Sequence, residues 1–174
     1  PIQYKEKEAE LFNEVLNSVL SIIKPMFEDP SIPKTGQNVK FDALILKRHG
    51  INVKGIQFDT LLAAHLLKPE SRSLKLDNLS MEKLNYRMVP IEDLIGKGRN
   101  QITMAEVELD KCTFYAAEDA DVALQLTYIY EKEMKEKGID QFFYDVELPL
   151  LPVLLEMEFM GMFVDGDMLA SMSE

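Results

Sequence analysis

The stretch KTGQNVKFD, residues 34–42, predicts a change from strand to helix. Lys34–Asn38 predicts a short strand, and a helix is expected from about Phe41 to Arg48. Residues 53–58 predict a second strand, and Asp59-Thr60 is expected to cap a further helix. Strands and helices therefore alternate in this part of the chain.

The flanking segments are mostly helical in pattern. Apolar residues at helical spacing predict an amphipathic helix over Lys5–Phe27, another helix over Leu74–Tyr86, and one or two long helices over Glu106–Lys137. Gly96–Gln101 predicts a polar surface loop.

From residue 141 onward the sequence becomes strongly apolar. It predicts a helix that contains Pro149 and Pro152 and ends at Gly161, followed by an extended stretch at residues 162–165. We interpret residues 1–140 as one domain and residues 141–174 as the start of a second.

Composition limits the class of protein. The 174 residues are 47% apolar and 28% charged, as in an ordinary globular domain with a substantial core. The net charge of −11 argues against a protein that grips duplex DNA by neutralising phosphates alone. It does not exclude a nuclease, because bound divalent cations can supply the positive charge.

Cys112 is the only cysteine, so the sequence excludes an internal disulfide and any metal site built from cysteines. We interpret it as a buried small hydrophobe in a protein of a reducing, cytoplasmic compartment. No apolar run approaches the roughly 20 residues that span a bilayer, so no membrane contact is expected.

Two segments carry chemistry. Asp42 follows Phe41 at the start of a predicted helix, and Asp119 lies four residues after Tyr115, on the same helical face. Phosphodiester hydrolysis is well served by two divalent ions roughly 4 Å apart, and Mg²⁺ or Mn²⁺ prefer carboxylate ligands. The tyrosine hydroxyl could orient a water activated at Asp119, although the spacing alone does not establish this.

Several stretches resemble, in the same order, the 3′→5′ proofreading exonuclease domain of the family A polymerases, which include bacterial DNA polymerase I. The matching stretches are Gly36–Asp42, Phe58–Thr60, Gly96–Gln101, Tyr115–Asp121, Glu147–Leu150 and Pro152–Leu154, with Gly161 and Val164-Asp165 after them. The resemblance implies an α/β, ribonuclease H-like exonuclease fold and hydrolysis of 3′-terminal nucleotides from single-stranded DNA.

The resemblance also implies roles for particular residues. Asp119 resembles the aspartate that binds the tighter metal, Tyr115 the tyrosine that hydrogen-bonds the nucleophilic water, and Asp42 the aspartate that supports the second metal. Both aspartates would then be metal ligands for a pair of Mg²⁺ or Mn²⁺ ions. The positions that correspond to contacts with the DNA 3′ end are Gln37, Asn38, Lys40, Phe41 and Arg72.

One family motif has no counterpart here. The family carries Asp-x-Glu on a strand before the N-terminal helix, and we expect this chain to begin after that strand. Asp145-Val146-Glu147 does not replace it, because side chains two positions apart on a helix diverge by about 200°. We therefore expect an N-terminally truncated, predominantly helical domain that lacks part of its sheet.

Two consequences are expected from that truncation. The fragment should have little or no nuclease activity and should not bind the metal ions as a pair. The strand at Lys34–Asn38, or its neighbour, should present an open edge that a second copy of the chain covers.

Three other interpretations stay open. A ribonuclease D-type RNA exonuclease shares the second and third motifs, but the segment Glu147–Asp165 argues against it. The domain could instead be a non-catalytic support for a polymerase. Taken singly, Asp42 could be a helix-start residue, Asp119 a solvated acid and Tyr115 a core aromatic.

Overall fold

The computed structural model describes the backbone of residues 2–71 and 73–173, and the side chains of residues 13–71 and 73–173. The elements in chain order are α1 (Ile2–Glu28), β1 (Lys34–Gly36), α2 (Val39–Arg48), β2 (Ile56–Asp59), α3 (Thr60–Leu67), α4 (Leu76–Leu84), α5 (Ile91–Ile95), α6 (Leu109–Lys137), α7 (Asp140–Phe142), a π-helical turn (Phe143–Glu147), α8 (Leu148–Met160) and α9 (Gly166–Met172). Two single 3₁₀ turns, Gly98–Asn100 and Met104–Glu106, lie between α5 and α6.

The sheet of the described residues consists of β1 and β2, which are parallel. Thr35 lies opposite Phe58 and Gly36 opposite Asp59, with an irregularity in the register after Lys34. Parallel strands need a crossover connection, and α2 lies in that connection. The carboxyl ends of both strands therefore lie at the same edge of the sheet, where α2 and α3 begin.

The core lies between the sheet and one face of α6. Residues spaced by four along α6 form a buried stripe: Glu118, Val122, Leu126, Tyr130 and Met134. Tyr130 and Met134 belong to a buried cluster with Phe58 of β2 and Phe143 of the π-helical turn. The Phe58 and Phe143 rings lie 4.9 Å apart between centroids. Phe143 has no exposed surface, so the segment beyond residue 140 contributes to the same core.

The predicted elements are present, with shifted ends. The first strand stops at Gly36, two residues earlier than expected, because Asn38 has left-handed backbone angles (φ 56°, ψ 46°) and cannot continue a strand. The predicted long helix is a single one, and Gly138 ends it with a positive φ of 67°.

The apolar segment after residue 140 is divided differently from the prediction. It forms α7, the π-helical turn and α8 in place of one helix. Pro149, in the first turn of α8, lacks the amide hydrogen that would bond the Asp145 carbonyl, so the α-helical bonding between the π-helical turn and α8 is incomplete. Pro152 lies inside α8, and the helix continues through it. Residues 161–165 are without regular structure, and Asp165 then caps α9, which the sequence pattern did not predict.

Three further observations concern single predictions. Cys112 is half-buried and free, whereas we expected it to be buried. In the part of the chain that the structure describes, no helix is both long and apolar enough to cross a membrane. The division at residue 140 stays a prediction: α8 packs on α2 and on β2, and Leu151 and Leu155 are buried.

Candidate active site

The carboxylate of Asp59 joins the starts of two helices at the end of the sheet. Oδ1 accepts hydrogen bonds from the α3 amides of Leu61 (2.8 Å) and Leu62 (3.3 Å), as expected for a helix cap. Oδ1 also accepts from the Asn38 amide (3.2 Å), and Oδ2 accepts from the Val39 amide (2.8 Å). The sequence predicted the first pair of contacts and missed the second, because those donors lie about twenty residues earlier.

Burial dominates the electrostatics of Asp59. The residue is 2% exposed, and burial raises the pKa of its carboxyl, while the bonds from Val39, Leu62, Asn38 and Leu61 act to lower it. The pKa lies above its ordinary value on balance. The four amide hydrogen bonds are therefore the compensation that allows a carboxylate to lie in the core.

The side chain of Gln37 holds neighbouring segments together. Its Nε2 donates to the Leu74 carbonyl oxygen (2.8 Å), and its Oε1 accepts from the Thr60 hydroxyl. The same hydroxyl lies 3.1 Å from the Gly36 carbonyl oxygen. Protein groups thus occupy the amide that we expected to contact substrate.

Tyr115 and Asp119 lie half-buried on α6 and line the same cleft as Gln37 and Asn38. The cleft has a volume of about 680 Å³, and its further walls come from residues 73–77 and 88–92. This confirms that the spacing of four places the tyrosine and the aspartate on one face.

The charges in the cleft are mainly negative. Burial raises the pKa of Tyr115, and the charges of Asp119 and then Asp77 raise it further. Burial also raises the pKa of Asp119, followed by the charge of the adjacent Glu118. The phenol of Tyr115 therefore keeps its proton at neutral pH and can donate a hydrogen bond to an oxygen in the cleft.

Asp42 lies on the first turn of α2 and lines a different hollow. That hollow runs beside β1 and is bounded by Phe27, Thr35 and Leu124, among others. Much of the Asp42 side chain is exposed, but partial burial of its carboxyl raises its pKa, and the charge of Asp59 raises it further.

Metal ligation can be tested against this geometry. Within residues 13–71 and 73–173, no three His, Cys, Asp or Glu side chains come close enough together to hold a metal ion. Asp42 and Asp119 line separate hollows. The described residues therefore do not fit a pair of divalent ions.

The other predicted substrate positions have different surroundings. Lys40 forms an ion pair with Glu158 of α8, and Phe41 is 58% exposed. Lys47, also on α2, pairs with Glu156 and lies 4.7 Å from the centre of the Phe159 ring. Arg72 lies outside the described residues.

Glu118 is a site residue that the sequence did not single out. It is 8% exposed, accepts a 2.7 Å hydrogen bond from the Tyr86 hydroxyl and a 2.9 Å bond from the Val89 amide, and so ties the segment before α5 to α6. Val89 lines the cleft. The spacing of four between Glu118 and Val122 was the available signal, because it places the glutamate on the buried face of α6.

Comparison with known proteins decides the family. A family model for the 3′–5′ exonuclease of A-type DNA polymerases matches residues 2–135. The chain belongs to this 3′–5′ exonuclease family. The expected resemblance is confirmed, and with it the α/β, ribonuclease H-like and mostly helical character of the domain.

Two relatives of this exonuclease domain are named DNA polymerase I. The chain is 36% identical over 158 residues to DNA polymerase I of Rhizobium leguminosarum, covering 91% of this chain and 16% of that protein. It is 38% identical over 154 residues to DNA polymerase I of Chloroflexus aurantiacus, with coverage of 87% and 16%. The chain thus spans about a sixth of the length of these relatives.

A solved structure agrees with the fold. The domain superposes with a TM-score of 0.71 on a structure described as the POL domain of Pol1 from M. smegmatis in complex with DNA primer-template and dNTP. The sequences are 24% identical, and the match covers 87% of this chain and 23% of the other. At that identity the likeness concerns the fold.

Proposed function

We propose that the chain is the proofreading exonuclease region of a bacterial DNA polymerase I, which removes nucleotides from single-stranded DNA 3′ ends. The observation that carries this proposal is the shared cleft of Tyr115, Asp119 and Asn38 within a chain of the exonuclease family. Residues 1–140 would form the exonuclease domain and residues 141–174 the entry to the polymerase domain, in a cytoplasmic enzyme.

The residues of the cleft suit a terminal nucleotide. Leu61 and Ile91 offer apolar surface against which a base can pack, and the protonated phenol of Tyr115 can donate to a phosphate oxygen or to a water. Asp119 lies one helical turn from Tyr115, where its carboxylate can accept a hydrogen bond from a water and is the candidate metal ligand. The exposed Phe41 would offer a further surface for stacking.

Binding of a 3′ end is the first test. A 5′-labelled single-stranded oligonucleotide, the same strand with a 3′-phosphate, and a blunt duplex are titrated with the chain by fluorescence anisotropy. We expect the free 3′ end to bind more tightly than the other two. Equal affinity for all three would contradict the assignment of the cleft.

Mg²⁺ or Mn²⁺ would supply charge stabilisation and an activated water in an intact exonuclease. Since the described residues do not fit two ions, we propose that this chain alone does not bind them as a pair and has little or no nuclease activity. Robust, Asp119-dependent release of mononucleotides by the chain would contradict this.

We also propose that a second copy covers β1. In the described sheet β1 pairs with β2 alone, and the hollow that β1 lines also carries apolar residues, namely Met26, Phe27, Ile32, Val39, Leu46, Val53 and Leu124. Light scattering at high concentration should therefore show a dimer, and a monodisperse monomer would contradict it.

A non-catalytic, structural role is the second candidate. It is favoured by the contacts of Gln37 and Lys40. Their side chains bond to Leu74 and Glu158 of the same chain, and these bonds use groups that a substrate would otherwise contact. DNA binding without preference for a 3′ end, together with an intact polymerase that lacks exonuclease activity, would support this alternative.

A further inference from the structure

We propose that Asp59 is a positioning residue of the exonuclease cleft, fixing Asn38 and the start of α2 from the neighbouring strand. The assignment rests on the proposed function, because the cleft that Asn38 lines is the one assigned to the DNA 3′ end. Asp59 itself is absent from the lining of that cleft and acts through the backbone.

The two oxygens of Asp59 accept hydrogen bonds from different sets of amides. Oδ1 accepts from the two α3 amides and, at 3.2 Å, from the Asn38 amide. Oδ2 accepts from the Val39 amide at 2.8 Å, its one donor among the described residues. Since Val39 is the first residue of α2, Oδ2 satisfies a helix-start donor that α2 cannot satisfy internally.

The backbone at Asn38 needs such support. Its left-handed angles are uncommon for a residue with a side chain, and they persist where surrounding contacts hold them. The Asn38 side chain does not cap α2, and the Asp59 carboxylate caps it instead. With these angles Asn38 lies in the wall of the cleft, and Asp42 lies on the first turn of α2.

Thr60 supports Gln37, the residue before Asn38, in a similar way. Its hydroxyl bonds to the side chain of Gln37, whose Nε2 in turn bonds to the Leu74 carbonyl at 2.8 Å. The dipeptide Asp59-Thr60, where β2 ends and α3 begins, therefore holds Gln37 and Asn38, two residues that line the cleft. A cap that served α3 alone would need none of these contacts.

Asp59→Asn tests the bond to the Val39 amide separately from the cap of α3. Asparagine has one acceptor oxygen, which can still accept from the α3 amides, while its NH₂ group faces the Val39 amide, donor against donor. Asp165→Asn is the matched control, because Asp165 caps α9 by accepting from the Met168 amide (3.0 Å) far from the cleft in sequence and outside its lining. If Asp59→Asn does not fold, Asp59→Ser retains a helix-capping oxygen for α3 and serves as the second variant.

The experiment combines amide hydrogen exchange with binding of the single-stranded oligonucleotide to the 174-residue chain. For Asp59→Asn we expect exchange at Val39 to accelerate about tenfold or more, with Leu61 little changed, and the affinity for the 3′ end to fall about fivefold. Asp165→Asn should leave both readouts unchanged.

Three results would overturn the inference. The first is accelerated exchange at Val39 with unchanged oligonucleotide affinity. The second is equal acceleration at Val39 and Leu61, which would make Asp59 a general stabiliser. The third is unchanged exchange at Val39 in Asp59→Asn. If the wild-type chain binds no oligonucleotide, it is the proposed function that fails, and the exchange measurement still tests the role of Asp59.

Discussion

The Tyr86 hydroxyl donates a 2.7 Å hydrogen bond to the buried carboxylate of Glu118, one residue before Asp119. The second oxygen of Glu118 accepts from the Val89 amide at 2.9 Å. The hydrogen bond to Glu118 is the main cause of a raised Tyr86 pKa. The helix that carries Tyr115 and Asp119 is thus bonded to the segment at residues 86–89, part of which forms another wall of the cleft.

Glu118→Ala should lower the free energy of unfolding by about 1–3 kcal/mol, because the Val89 amide loses a charged acceptor in a partly buried place. Urea denaturation measures the change. Glu108→Ala is the control, since Glu108 is exposed and pairs with exposed Lys111, and its effect should stay within about 0.5 kcal/mol. Equal effects of the two variants would contradict the structural role of Glu118.

Phe143→Ala should lower the free energy of unfolding by about 3–5 kcal/mol, because the fully buried ring packs on Phe58 in the core. Phe163, which is 90% exposed, provides the control, and Phe163→Ala should have an effect below about 0.5 kcal/mol. A small effect at Phe143 would mean that residues beyond 140 fold apart from the domain.

Glu158→Gln should strengthen binding of the single-stranded oligonucleotide about two- to threefold, because Lys40 loses its ion-pair partner and becomes available to phosphate. Glu156→Gln removes the same charge from α8 but frees Lys47, which is not among the predicted substrate residues. Affinity is measured in low salt by anisotropy. An equal gain in both variants would indicate a general charge effect and no specific role for Lys40.

Tyr144→Phe should reduce the loss of stability that the chain shows as the pH rises in the alkaline range. Burial, with the charge of Glu131 and a 3.1 Å hydrogen bond to it, raises the pKa of Tyr144 to about 12 from 10.0. Between these values the unfolded chain loses the proton first, so the stabilising effect present below pH 10 is lost as the pH rises towards 12. Urea denaturation at pH 9 and 11 should show a smaller loss for Tyr144→Phe, and equal losses would contradict the shift.

The sequence predicted the local features of the site better than the long-range ones. Tyr115 and Asp119 share a helical face because four residues make about one turn, and Asp59 caps α3 because its partners are two and three residues away. The bonds from Asp59 to α2, from Gln37 to Leu74 and from Lys40 to Glu158 join residues 20 or more positions apart. Such contacts depend on how the elements pack, which residue spacing does not encode.

The central claim is that Asp119 belongs to a 3′→5′ exonuclease site that this chain alone does not complete. The direct measurement is the shortening of a 5′-labelled single-stranded oligonucleotide in Mg²⁺ or Mn²⁺, by the intact polymerase that carries this region and by the 174-residue chain. We predict stepwise shortening from the 3′ end by the intact enzyme, at least about 100-fold slower in Asp119→Asn, and no detectable shortening by the chain. Asp119-dependent shortening by the chain alone, or unchanged shortening by the intact Asp119→Asn enzyme, would contradict the claim.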